Sequence, residues 1–139
     1  MHETEIHLEV SHLANQQHLD LLKQGAHAWN QWRQEHPDIL PDLSDSDLAW
    51  TRLSNADLSR VDLSRVDFTW ADLYRANLIG TNLCQANLSG ADLSGSLLYR
   101  ANLCGANLAG ALLYRADLRE ADLRETNLQK AILDEVVLS

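Results

Sequence analysis

From residue 43 onward every fifth residue is leucine, ending at Leu138, with Phe68 the single substitute. Two positions before each stands a small or β-branched residue, such as Ala56, Val61, Ala76, Thr81, Ala86 or Val136, and the residue between is usually Asp or Asn. A helix repeats its apolar face about every 3.6 residues and a strand every two, so an unbroken period of five fits neither. In one long helix the leucines would spiral around every side. A chain that turns a corner every five residues satisfies the pattern. Four corners close a coil of about twenty residues, and coils stack at the inter-strand spacing of about 4.8 Å. Leucine and the small residue then point inward, large beside small, while the other three positions face water. Residues 41–139 make close to five such coils, an all-β solenoid.

The consensus A-(D/N)-L-x-x resembles the pentapeptide-repeat family over residues 41–139, and the resemblance implies a right-handed quadrilateral β-helix. The segment QGAHAWNQWRQEHPDILPDLSDSDL also resembles the lead-in of many such proteins from photosynthetic bacteria. The pattern is broken at the middle position, where Arg52, Leu97, Leu112, Ile132 and Val137 replace Asp or Asn. Because that side chain points outward, the fold tolerates the change.

A solenoid presents an apolar cross-section and unpaired strand edges at both ends. Residues 12–40 are expected to form an N-terminal α-helical cap. Leu19, Leu22, Ala26, Trp29 and Trp32 fall on one helical face, Gly25 divides the segment, and Pro37 and Pro41 end it. Residues 1–11 read either as a flexible lead or as a short strand built on Ile6, Leu8 and Val10. At the other end the repeat runs to Ser139, which leaves Leu123, Leu128, Leu133 and Leu138 on an open apolar end. A homodimer joined through the C-terminal coils would cover it; refolding of the last ten residues into a small helix is the alternative.

The formal net charge of −9 argues against nonspecific binding to nucleic acid or to an anionic membrane surface. No apolar run is long enough for a membrane span, and MHETEIHLEV lacks the basic start of a secretory leader, so a cytoplasmic location is expected. Catalysis requires a base beside its partner. All six histidines (His2, His7, His12, His18, His27 and His36) precede the repeats, and no phosphate loop or zinc-type spacing occurs. The five-residue period of the aspartates marks them as corner residues that hydrogen-bond backbone rather than as catalytic pairs. The chain is therefore expected to be no enzyme and to hold no metal or cofactor.

Residues twenty apart should lie one above another. Cys84 and Cys104 stack, either as a redox-sensitive pair or as two small residues in a column begun by Ser44 and Ser64. Trp50 and Trp70 stack, either packed beside the helical cap or forming a binding surface. Tyr74 and Tyr114 share a face, each followed by arginine, as is Tyr99. Leu97 with Val137, and Leu112 with Ile132, put apolar side chains on two neighbouring outer faces, a candidate interface. These features point to a non-catalytic structural or protein-interaction scaffold with a protein partner. The family resemblance implies a second reading, an acidic DNA mimic that binds a type II topoisomerase such as gyrase. Against it, residues 41–139 carry 14 acidic and 9 basic side chains, a net of only −5.

Overall fold

Turning the chain every five residues requires a backbone conformation that L-residues avoid. In the computed structural model, which describes residues 16–139, the second residue of each corner from Asp45 to Glu135 has φ between +55° and +70°, and fourteen of these residues are not glycine. The left-handed region costs roughly 1–2 kcal/mol for a residue with a Cβ. The compensation is visible in the hydrogen bonds. The N–H of the left-handed residue donates to the next coil, as Trp50 does to the Thr69 carbonyl at 2.9 Å. The central Leu58 donates upward to the Asn77 carbonyl at 2.8 Å, and Asn77 donates back to the Ala56 carbonyl at 2.9 Å. Each corner is also closed internally, Ala56 N–H to Leu53 carbonyl at 3.0 Å.

Sixteen parallel bridges result, each joining residues twenty positions apart, from Asp42 with Asp62 to Asp117 with Val137. The strands are single bridging residues, so each side of the solenoid is a column. Face 1 carries Asp42, Asp62, Asn82, Asn102 and Asp122; face 2 carries Asp47, Asp67, Asn87, Asn107 and Asn127. Face 3 carries Arg52, Asp72, Asp92, Leu112 and Ile132; face 4 carries Asp57, Asn77, Leu97, Asp117 and Val137. Every Asp or Asn in these columns accepts a hydrogen bond from the N–H two residues on, as Asn82 does from Cys84 at 3.0 Å. This is the short side-chain turn for which Asp and Asn are suited. The five departures lack an acceptor there and forgo that bond.

The central leucines from Leu43 to Leu118, with Phe68, are buried together with the small residues beside them. Two of the fully buried small positions carry hydroxyls, Thr81 and Ser96. Thr81 Oγ1 donates to the Leu58 carbonyl at 2.7 Å. Ser96 Oγ is equally buried and finds no partner among the described residues.

Two helices precede the coils: α1, described over 16–23, and α2, Ala26–Glu35, separated at Gly25, whose φ is 115°. The reading of residues 1–11, and of the cap over 12–15, lies outside the described residues. Leu22 and Trp29 are fully buried, and Leu19, Ala26 and Trp32 pack partly buried against the same core. No described helix is long and apolar enough to cross a membrane.

Helix α2 meets face 4 of the first coil through three polar groups. Asn30 Oδ1 accepts from Asp57 N–H at 2.7 Å. The Asp57 carbonyl accepts from Trp29 Nε1 at 2.7 Å and from Arg33 Nη1 at 3.0 Å. Arg33 Nη2 also donates to the Ser59 carbonyl at 2.9 Å. In later coils the same backbone groups bond to the coil below, so here side chains stand in for an absent coil.

Two substitutions should separate the buried hydroxyls. Ser96→Ala removes an unpartnered oxygen and is expected to raise unfolding stability by about 1 kcal/mol. Thr81→Val breaks a satisfied bond at similar volume and should lower it by about 1 kcal/mol. Urea denaturation of both variants beside the parent measures the difference.

Candidate functional site

Beyond the core, the chain concentrates its unusual side chains in four places. The first is the C-terminal end. The first-coil leucines Leu43, Leu48, Leu53 and Leu58 are at most 1% exposed, whereas Leu133 is 43% and Leu138 61% exposed. The N–H groups of Leu123, Leu128, Leu133 and Leu138 have no backbone acceptor among the described residues. The end therefore presents apolar surface ringed by an open hydrogen-bonding edge. The last residues continue the coil, Leu112 bridging Ile132 and Asp117 bridging Val137, so no helix forms from them.

Beside this end lie the apolar departures. Leu97, Leu112, Ile132 and Val137 are all exposed. Leu112 and Ile132 are direct bridge partners on face 3 and form a continuous pair. The pair on face 4 is interrupted: Leu97 and Val137 each bridge Asp117, whose carboxylate is bound by Arg119 at 2.7 Å. The apolar surface is thus a face 3 patch joined to the open end, with Leu97 standing apart.

The second place is the edge between faces 2 and 3, where Trp50 and Trp70 stand. Packing beside the helices does not occur: Trp50 is 71% and Trp70 56% exposed. Their rings lie 5.8 Å apart at 18°, and the Trp70 indole covers Gly90, where a Cβ would come within 2.6 Å of it. The tryptophans that do join the helices are Trp29 and Trp32, the latter flanked by His18 and His36 at 4.9 and 5.0 Å. Burial lowers the pKa of His18, partly offset by Asp42.

The third is a recess of about 400 Å³ on the edge between faces 3 and 4, where Ser94 and Gly95 separate Tyr74 and Arg75 from Tyr114 and Arg115. It opens to solvent, and Arg115 is held by Glu135 at 2.8 Å. The fourth is the cysteine column. Cys84 and Cys104 are half-buried free thiols, and desolvation, then the Asp122 carboxylate, push Cys104 up. The thiolate is therefore disfavoured there. Among the described residues no three His, Cys, Asp or Glu side chains cluster to hold a metal ion.

Ion pairs tie exposed residues of neighbouring coils, Arg65 to Asp45 at 2.8 Å and Arg100 to Glu120 at 3.6 Å. Within one coil Arg124 grips Asp122 at 2.6 Å and pushes its carboxyl down to about 2.

Comparison with known proteins gives a consistent result. The sequence matches the family model of pentapeptide repeats, in eight copies, over residues 42–78, 73–113 and 101–139. No curated protein is matched. Among solved structures, a pentapeptide repeat protein of the cyanobacterium Cyanothece 51142 is 26% identical. That alignment covers 79% of this chain and 93% of that one, with a TM-score of 0.45. A pentapeptide repeat protein of the Arabidopsis thaliana thylakoid lumen is 30% identical over 65% of this chain and 59% of its own, with a TM-score of 0.39. QnrB1, a plasmid-mediated fluoroquinolone resistance protein, is 15% identical over 71% and 76%, with a TM-score of 0.39.

Two measurements follow from this geometry. Gly90→Ala should destabilise the protein more than Gly110→Ala and should shift the tryptophan emission. Both take a Cβ at positive φ, but nothing lies within 4 Å of Gly110 while the Trp70 ring must move for Gly90. Acid unfolding should follow the paired carboxylates. Asp45, Asp117 and Asp122 are depressed by Arg65, Arg119 and Arg124. A depressed folded pKa gives stability that is present above the unfolded value and lost as pH falls through the folded one. The melting temperature should therefore drop most steeply between about pH 4 and pH 2. A smaller loss should set in below 6.5, because burial lowers the His18 pKa in the folded chain and so disfavours its charged form there.

Proposed function

The chain belongs to the pentapeptide-repeat family, and we propose from that premise that it is a non-catalytic protein-interaction scaffold that pairs with a second copy through its C-terminal coils. The carrying observation is the difference between its two ends. At the first coil the leucines are covered and face 4 is satisfied by Trp29, Asn30 and Arg33. In this reading helices α1 and α2 serve as the N-terminal cap. At the last coil Leu133 and Leu138 are exposed and the edge is open.

By the pattern of the coils below, each side of that end leaves two upward N–H groups, those of the central leucine and of the left-handed residue, for each upward carbonyl, that of the small residue. Two identical ends related by a two-fold axis can bury both sets of leucines against each other, with the carbonyls accepting from part of the facing N–H groups. The face 3 patch supports the same reading. At Leu112 and Ile132 the chain forgoes the turn hydrogen bond that every Asp and Asn in the outward columns makes, and it exposes an aliphatic side chain instead. Breaking a local rule without a structural return is typical of residues kept for contact.

The topoisomerase-binding DNA mimic draws less support. Its surface should be continuously anionic, whereas Arg65, Arg100 and Arg115 neutralise acids between coils and Asn82, Asn87, Asn102 and Asn107 leave the middle of two faces uncharged.

Sedimentation at micromolar concentration should give a dimer. The double variant Leu133→Glu with Leu138→Glu should sediment as a monomer with an unchanged circular dichroism spectrum. A wild-type chain that stays monomeric over the whole concentration range rejects the self-association.

A further inference from the structure

Trp50 and Trp70 occupy an edge that the C-terminal pairing does not use. Side chains this large are seldom left on a surface without a partner, and these two are arranged. The near-parallel rings overlap like tiles along the solenoid axis, and the second is seated on Gly90, where any Cβ would displace it. The result is a flat aromatic strip instead of two independently mobile side chains.

The strip is bracketed by carboxylates. Asp47 and Asp67 flank it on face 2, and Asp72 on face 3. Each uses Oδ1 to accept from the corner N–H two residues on, while Oδ2 has no donor among the described residues. None of the three forms an ion pair with a described side chain, although Arg52 stands beside Asp72 at the base of face 3. Exposed indole faces between unneutralised carboxylates attract cations. They repel phosphate and give an uncharged apolar segment no use for the acids. Among cations, guanidinium suits both halves of the site, since it is planar, stacks on an aromatic face and bonds a carboxylate with its edge.

We infer that the Trp50–Trp70 edge is a docking strip for an extended, arginine-bearing segment of a partner protein, one guanidinium stacked on each indole and paired with the flanking aspartates. The spacing agrees. In an extended chain, side chains on one face recur every second residue at about 6.6–6.8 Å, against 5.8 Å between the two ring centroids. An Arg-x-Arg sequence thus places one guanidinium over each ring.

The test uses the full chain and two short labelled synthetic peptides, one alternating Arg with Ser and one alternating Lys with Ser, read by fluorescence anisotropy and by quenching of tryptophan emission. The arginine peptide should bind saturably, quench the tryptophans and bind more tightly than the lysine peptide. Trp50→Ala with Trp70→Ala should weaken it about tenfold. Asp47→Asn with Asp67→Asn should weaken it as well, and that change keeps the turn acceptor, because Asn already fills the same role in later coils. The Leu133→Glu, Leu138→Glu variant should bind as the parent does, which separates this site from the dimer. Equal binding by the tryptophan variant at an unchanged melting temperature, equal affinity for the lysine peptide, or no binding at all would overturn the inference.

Discussion

The ladder of backbone hydrogen bonds between residues twenty apart is the constraint on which the rest of the molecule depends. It forces a left-handed residue at each corner, and it compensates that cost by giving the same residue's N–H a partner in the next coil. Once the ladder exists, each central side chain sits over the one twenty residues before it, which is why leucine repeats with so little variation. A longer or shorter coil anywhere would leave the peptide groups above it without partners, and each buried unpaired peptide group costs about as much as the left-handed residue of a corner.

The same ladder explains why the ends carry the interest. Within the stack each coil satisfies its neighbours. Among the described residues no further coil lies below the first or above the last. Helix α2 answers the first problem with side chains in place of peptides, an indole N–H, an amide and a guanidinium each meeting a group that another coil would otherwise meet. The last coil keeps its leucines in solvent. Between the ends the outer surface is free to vary, because the corner needs only an acceptor at the middle position and tolerates its loss at five places.

The architecture was legible because a period of five leaves no competing interpretation, and the outward columns followed by adding twenty. The same arithmetic would have placed Asp117 between Leu97 and Val137, so their separation was readable from the sequence as well. The tryptophan pair was not. Stacking identified Trp50 and Trp70 as neighbours, but whether the rings turned toward the helices or lay along the edge depended on the space above Trp70. The available signal was Gly90 at the next position in that column. Asn30 and Arg33 carried no sequence signal, because their role depends on which peptide groups of the first coil happen to face helix α2. A helical wheel shows only that they flank Trp29.

Because every side of the core is built alike, leucine over leucine with a small residue beside it, the interior cannot distinguish one wall from the next. Duplicating or deleting a single five-residue unit would keep the interior periodic while turning everything downstream by a quarter revolution. Tyr114 would leave the wall edge that holds Tyr74, and the Leu112–Ile132 pair would be carried around to a different side. Lineages descended from such a chain could thus reshuffle what their exterior displays in one genetic step, with an interior that registers almost no change.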